Sequence, residues 1–426
     1  EDVMNIYEVE QPEGVIVQMG GQTPLNLSTS LAAAGVPVLG TSADAIDTAE
    51  DRERCRLLLD ELGLKQPPSQ TALNTDEAVA VAKELGLPVM IRPSYVLGGR
   101  AMMIAYEEKD IVPYVEEAFR ASPDHPVLLD RYLAGAIEAD VDVLSYVGGV
   151  MQHVEQAGVH SGDSACSTPP YSLDAAMVDT IRESCRKISL ALKVKGLLNA
   201  SRTVPYLSKA TGVPLAKLAA KVSVGMKLAD FDLPPEGAER KWFAVKEAVI
   251  PWNRFAGVDP ILSPEMKSTG EVMGIDETFE VAFWKAEVAA GQMVPSSGKA
   301  FLSANDPDKP WMVELGKDLV KAGFEIIATS GTAAAMRAAG LEPIEVAKLA
   351  EDGENVLDLM ARNEVQMVVN TPSGAVARAD EIHIRSECIL RDIPIVTTRW
   401  GAEATVRSIA YLQSHDWDVK ALQDYA

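Results

Sequence analysis

Cysteine is scarce in this sequence: four in 426 residues, at Cys55, Cys166, Cys185 and Cys388. None forms a CxxC pair and the five histidines are scattered, so zinc-site spacing is missing. The count suits reduced thiols in a cytosolic protein better than a disulfide framework. No uninterrupted apolar run reaches the roughly 18 residues that a membrane helix needs. Positive charge is also short. Against 62 Asp and Glu stand 39 Lys and Arg, a formal net charge of −23. So acidic a chain repels phosphate backbones and anionic bilayers. Neither nucleic acid nor membrane is an expected partner, and the expected location is cytoplasmic. An anionic ligand would need Arg or Lys gathered locally against that background.

What is present is globular. Hydrophobic residues make up 47% and charged residues 24%, enough for buried cores in two to four domains. Gly14–Gln18, Leu25–Ala34 and Val36–Leu39 read as strand, helix and strand. That βαβ piece is too small to cover both faces of a sheet. One helix is expected over Ala43–Leu62. Strands and helices then mix up to Ala229, as in an α+β domain. Residues 230–285, with Pro234, Pro235, Pro251, Pro260 and Pro264, are expected to be irregular and to hold a boundary. From Ala300 short strands and helices alternate regularly, the pattern of a doubly wound parallel sheet.

Five stretches carry candidate chemistry. Arg92–Arg100 places Arg at a strand end, then Gly98-Gly99, then Arg. Glycine lets backbone N–H groups approach a phosphate, and guanidinium forks match its oxygens; a hairpin with solvated arginines is an equal alternative. Glu138, Asp140 and Asp142 share one strand face at period two. For three such acids a solvated face is the ordinary expectation. Glu155–Ser164 sets small residues around His160 directly after a strand, which suits a nucleotide pocket. Ser201-Arg202-Thr203 is either an anion clamp or a helix entry. Thr329–Thr332 and Asn370–Gly374 occupy matching strand-to-helix turns in the parallel sheet, with Lys309 before another helix, a placement that favours a phosphate-bearing ligand.

Together with Ala49–Arg54, Ser201–Ala219 and Thr269–Gly274, these stretches closely resemble the C-terminal half of the carbamoyl phosphate synthetase large subunit. The resemblance implies a partial pre-ATP-grasp domain (1–45), an ATP-grasp domain (46–255), a linker (256–285) and a methylglyoxal-synthase-like allosteric domain (286–426). It implies phosphorylation of carbamate by ATP, with Mg²⁺ or Mn²⁺, for pyrimidine and arginine biosynthesis. Its implied partners are a glutamine amidotransferase small subunit and the N-terminal half of the large subunit. By motif, Arg52 and Arg92 should face ATP phosphates with Gly98 and Gly99 nearby. Asp130, Arg131 and Leu133 should lie on the adenine side, and Glu138 should hold the ribose. Gly158, Val159, His160 and Ser161 should line the nucleotide pocket, and Arg202 should bind carbamate or the transferred phosphoryl group. Ser303, Lys309, Thr329, Thr332, Lys348 and Asn370 match a site for a UMP-like effector.

Three departures qualify the resemblance. The family carries a metal-binding Gln and a Glu-x-Asn-Pro-Arg strand pair, some 15–20 residues, where Asn199 here meets Ala200. The metal ligands are therefore unassigned. A shorter gap falls near Ser145-Tyr146. Glu155, Asp163 and Glu247 of the family's ornithine site are present, but Ile395 replaces a Tyr, so weak or absent ornithine activation is expected. Two other readings compete. One is an ATP-grasp ligase activating bicarbonate, and the other is an inactive nucleotide-sensing scaffold.

Overall fold

The computed structural model describes residues 1–94, 96, 98–123, 125–144, 146–198, 202–254, 259–371 and 379–425. The N-terminal piece contains α1 (Asp2–Glu10), α2 (Gln22–Ala33) and α3 (Ala43–Glu50). A single parallel bridge, Val15 to Val38, stands where two strands were expected. Val17, Leu31, Val36 and Ile46 form its small core. The expected helix 43–62 is broken. Asp51 is extended (φ −75°, ψ 117°), and its carboxylate caps α4 (Arg52–Glu61) by accepting from the Arg54 N–H at 2.8 Å. An Asp that competes with the helix ladder and caps the next turn is the physical cause. The break sets Arg52 at the first position of α4.

A four-stranded antiparallel sheet follows, in the order β1 (Ser69–Ala72), β4 (Val127–Arg131), β2 (Val89–Arg92), β3 (Met103–Ala105). Helices α5 (Thr75–Leu85) and α6 (Glu108–Ala121) cover one face. Strand alternation sends Val89, Ile91, Val127 and Leu129 into that core. Met90, Arg92, Leu128 and Asp130 therefore occupy the opposite face.

The second sheet is antiparallel, β5 (Ile137–Val143), β6 (Val147–Gln156), β7 (Cys166–Thr168), β8 (Phe243–Val249) and β9 (Gly270–Asp276) in chain order. A short connection of 144–146, around the undescribed Ser145, joins β5 to β6. Helix α7 (Ala175–Ala191) lies along β5 and β6. Helices α8 (Thr203–Thr211) and α9 (Leu215–Ser223) pack on one face of the sheet through Leu207, Leu215 and Met151. On the other, α10 (Phe279–Ala289) buries Phe279, Ala282, Phe283 and Ala286 against Val154, Ala165 and Val245. Residues 230–285 thus hold two strands and part of a helix where irregular chain was expected. Strand β8 escapes a periodicity reading because Lys246 is buried in it, 1% exposed. Prolines in the loop between β8 and β9 then hide the pairing.

The third sheet is fully parallel, in the order β12 (Ile344–Val346), β11 (Phe324–Thr329), β10 (Gly298–Ser303), β13 (Met367–Asn370), β14 (Ile395–Val396). Ala300 and Leu302 face α11 (Lys309–Lys321), α12 (Ser330–Ala338) and α15 (Arg399–Leu412). Phe301 and Val368 face α13 (Val356–Ala361) and α14 (Ala379–Leu390). The doubly wound expectation holds here. Helix α15 also reaches the second sheet, since Ala404 joins the α10 core and Arg407 pairs with Glu280 at 2.5 Å. No helix among the described residues is long and apolar enough to cross a membrane, and all four cysteines are free thiols.

Candidate functional site

The site begins where α4 meets β2 and β4. The Arg92 Nε lies 2.5 Å from the Asp130 carboxylate. Burial and the nearby Arg92 guanidinium lower the affinity of Arg52 for its proton, and its Nε is buried with no hydrogen-bond partner among the described residues. Burial pushes the Asp130 carboxyl up, against the pull of Arg92 and Arg52. Two guanidinium groups thus share one carboxylate in a desolvated corner. Glu50 also lies within electrostatic reach of Arg52, so what the corner offers an anion is not surplus charge but guanidinium forks held away from water, one with an unused Nε. Arg131 alternates to the other side of β4 and is exposed, and Leu133 lies half exposed beyond the strand end.

The acidic row on β5 is not a solvated face. Asp142 is 1% exposed and accepts from the Thr203 hydroxyl at 3.0 Å. Asp140 lies 3.3 Å from His153 Nε2 on β6. Burial works against the Asp140 charge, but the His153 bond more than offsets it and holds the carboxyl below its usual range. Burial raises the Glu138 carboxyl, although the Gly158 N–H donates to it and Arg92 lies within electrostatic reach. Helix α8 and strand β6 cover this row, which is why period two alone misjudged it.

From Gly158 the chain turns through the small-residue stretch. Gly158 has φ +103°, and a Cβ there would lie 2.8 Å from the Tyr132 ring. Val159 is buried. His160 Nδ1 accepts from the Gly162 N–H at 2.9 Å, which leaves the neutral ring its proton on Nε2. Burial lowers the His160 imidazole below its ordinary value. The Ser161 carbonyl accepts from the Lys246 ammonium at 2.7 Å.

A strap made of residues 259–268 closes over these groups. Ser263 O accepts from the His160 N–H at 2.8 Å, and the Met266 N–H donates to Gly98 O at 2.9 Å. Gly99 sits at φ +66°, and a Cβ there would fall 2.0 Å from Pro264 O. The Lys267 and Ser268 N–H groups donate to the two Asp163 oxygens at 2.7 and 2.8 Å. Arg202 donates to the Ser268 hydroxyl at 2.6 Å and to Gly162 O at 3.2 Å. Gly98, Gly99, His160 and Arg202 therefore meet on one strap. Arg92 lies within electrostatic reach of Glu138, and Arg202 of His160.

Sequence reasoning gave no role to Lys246, Glu271 or Ser268. Glu271 Oε2 is buried without a hydrogen-bond partner among the described residues. Burial raises that carboxyl, against the opposing pull of Lys246 and Arg202. The only sequence signal for Lys246 and Glu271 is a charge inside an apolar strand. Asn199, Ala200 and Ser201 lie outside the described residues, as do 372–374 of the second polar turn. Among the described residues no cluster of three His, Cys, Asp or Glu has the spacing to hold a metal ion.

Two further places complete the picture. A cavity of about 830 Å³ between the second and third sheets is lined by Glu155, Asp163, Glu247, Glu287, Ile395 and Thr398, among others. Burial raises the Glu155 carboxyl, lifts Glu247 well above its ordinary value, and pushes Glu287 up to about 8. In the parallel sheet, Ser303 and Asn370 end the neighbouring strands β10 and β13. There the strand order reverses, the place where open parallel sheets bind ligands. Thr329 ends β11 next to them, Thr332 is buried in the first turn of α12, and Lys309 opens α11 with its Nζ 3.2 Å from the Cβ position of Gly331. Lys348 follows β12, half exposed, 3.7 Å from Glu351. Asn370 Nδ2 and the Thr371 hydroxyl are buried there without partners among the described residues.

Three family models match the chain. Residues 1–48 match the carbamoyl phosphate synthase preATP-grasp domain, 51–204 the ATP binding domain of the carbamoyl-phosphate synthase L chain, and 311–397 the MGS-like domain. The carbamoyl phosphate synthase large chain of Rhodopirellula baltica is 47% identical over 450 residues, covering 99% of this chain and 42% of the relative. The C-terminal section of the large chain of Aquifex aeolicus is 46% identical over 460 residues, covering 99% of this chain and 86% of the relative. The chain thus spans about two-fifths of the length of the undivided relatives. Both alignments run longer than the 426 residues here, so the relatives carry residues that this chain lacks. Among solved structures, the biotin carboxylase domain of the Hydrogenobacter thermophilus 2-oxoglutarate carboxylase has a TM-score of 0.54 at 14% identity. It covers 68% of this chain and 76% of its own. That likeness is one of fold.

Proposed function

Because this chain belongs to the carbamoyl phosphate synthase large-chain family, we propose that it is the part that phosphorylates carbamate to carbamoyl phosphate with ATP. The observation that carries the reading is the partly buried Arg52–Arg92–Asp130 corner, with an unused Arg52 Nε and with Glu138 in electrostatic reach of Arg92, beside the strap that holds Gly98 and Arg202. Arg52 and Arg92 hold the ATP phosphates there, Glu138 takes the ribose hydroxyls, and the Gly98-Gly99 backbone closes on the phosphates. A carbamate oxygen attacks the γ-phosphorus. The new O–P bond forms as the bond to the β,γ-bridging oxygen breaks, and ADP leaves. Arg202 steadies the charge on the moving phosphoryl group. Such transfer is chiefly positioning and charge stabilisation, and no side-chain nucleophile is required. A divalent cation, Mg²⁺ or Mn²⁺, would supply further charge neutralisation when bound. No donor set for it stands among the described residues, so no step here runs through it.

The same reading assigns 1–45, 46–255 and 286–426 to the pre-ATP-grasp, ATP-grasp and allosteric units, supported by the three matched stretches. Strand β9 and helix α10 pack on the ATP-grasp sheet, which favours counting 270–285, within the proposed linker 256–285, with that unit. A UMP-like effector binds at Ser303, Lys309, Thr329, Thr332, Lys348 and Asn370. Ornithine activation is weak or absent, with Ile395 in the cavity wall. The partners are the N-terminal half of the large chain and a glutamine amidotransferase subunit, in the cytoplasm.

The test is ATP synthesis from ADP and carbamoyl phosphate with magnesium, the reverse of the proposed step. Arg92→Ala and Arg202→Ala should each lower it by about 100-fold in folded protein. Absence of ATP formation by the assembled enzyme would leave the nucleotide-sensing scaffold as the better reading.

A further inference from the structure

Arg385 on α14 is the largest fully buried side chain among the described residues, 0% exposed. A guanidinium kept from water must spend its donors on protein. It does so on two elements far apart in sequence. Its Nε and one terminal nitrogen grip the two oxygens of Asp259, each at 2.7 Å, in a fork-to-fork pair. Its other terminal nitrogen donates to Asn370 Oδ1 at 2.5 Å, and Glu381 lies 3.7 Å away on the same helix. Asp259 is the first described residue of the strap. Asn370 ends β13 at the strand-order reversal, and its Nδ2 has no partner among the described residues.

We propose that Arg385 is a positioning residue that couples the two sites. It ties the effector end of the parallel sheet, through Asp259, to the strap that holds Gly98, His160, Asp163 and Arg202 in place. The proposal rests on the effector and ATP-site assignments made above. A nucleotide monophosphate that engages the Asn370 side chain competes for Oδ1 and withdraws one of the Arg385 hydrogen bonds. No water reaches the guanidinium to replace it, so the Arg385–Asp259 pair must readjust. Ser268 lies nine positions after Asp259. Within them the strap makes its contacts to His160, Gly98, Asp163 and Arg202. A shift at Asp259 is therefore delivered to the phosphate side of the ATP site. The fork matters as much as the charge, because lysine offers one ammonium in place of two parallel N–H bonds.

The test compares Asp259→Asn, which keeps the shape and removes the charge, and Arg385→Lys, which keeps the charge and loses the fork. Asp259→Glu serves as the conservative control. All are made in the assembled enzyme. Hydrogen exchange is read at the Met266, Lys267, Ser268 and His160 amides without effector. Direct titration gives UMP affinity, and the reverse assay gives the effect of UMP on the KM for ADP. The expected result for Asp259→Asn and Arg385→Lys is strap exchange about tenfold faster, with the amides of α11 unchanged. UMP still binds within about threefold, while its effect on KM is lost or at least halved. Asp259→Glu recovers part of that effect. Strap exchange and UMP coupling both at wild-type level in either folded variant overturn the proposal. Wild-type enzyme that binds no UMP overturns the effector assignment and the coupling with it, while the exchange readout still decides whether Arg385 holds the strap.

Discussion

Replacing Glu287 by Gln tests the buried carboxyl cluster. Glu287 shares the 830 Å³ cavity wall with Glu155 and Glu247, and burial, then the Glu155 charge, push its carboxyl up to about 8 from an ordinary 4.5. In the unfolded chain the proton leaves near 4.5, whereas in the folded protein it stays until about 8. Between those values the folded state binds the extra proton, so stability falls as pH rises and levels off above about 8. The full difference corresponds to roughly 5 kcal/mol. The side chain keeps some solvent contact through the cavity, so about 2–3 kcal/mol is the working figure. Glutamine is nearly isosteric and never ionises. Urea unfolding from pH 5 to pH 9.5 should show E287Q and wild type close together at pH 5. The variant should gain steadily to about 2–3 kcal/mol by pH 9. Parallel curves, or a variant that is less stable at pH 9, would refute the argument that this carboxyl is buried in its neutral form.

The remaining predictions concern the nucleotide side. Lys246→Met leaves the Ser161 carbonyl unpaired and removes the buried cation that acts on Asp140, Glu155 and Glu271 together; the loss should be about 3–5 kcal/mol by urea unfolding, and a loss below 1 kcal/mol would contradict it. Gly99→Ala forces a methyl onto Pro264 O at positive φ. The ADP KM in the reverse assay should rise by about tenfold or more, at a stability cost of about 2–4 kcal/mol, and an unchanged KM would show that the loop does not close on phosphate. Glu138→Gln should raise the same KM by about tenfold while kcat changes little, since a charge-assisted bond to a hydroxyl is worth about 1.5–3 kcal/mol. Asp51→Ala removes the α4 cap and should cost about 1 kcal/mol; no measurable change would mean the break before Arg52 does not depend on that carboxylate.

How much of this was legible in the sequence varied with the range of the interactions. A strand ending at Arg92 was legible, and the strand-to-helix turns of the parallel sheet marked its ligand end, but the pairing of Arg92 with Asp130 on the face opposite the β2–β4 core came only with the fold. Arg52 was legible from resemblance, but the helix break that aims it inward was not. An Asp in mid-helix and an Asp at a cap look alike until the backbone is seen. The strap was illegible. Its bonds join Asp163 to Ser268 across 105 residues and Arg385 to Asp259 across 126, and its prolines read as spacer. Lys246 and Glu247 disguised β8, because a buried charge breaks the very pattern by which a strand is recognised.

Helix α15, reaching the α10 core through Ala404 and the parallel sheet through Ala402, Val406 and Ile409, bears on synthesis. Both apolar surfaces wait for a segment that leaves the ribosome more than a hundred residues after α10. Until then the nascent chain displays two unmatched greasy faces at once, a species prone to sticking to its neighbours. Helix α15 therefore completes the cores of both units in one step. Their final maturation should occur together, whichever sheet forms first.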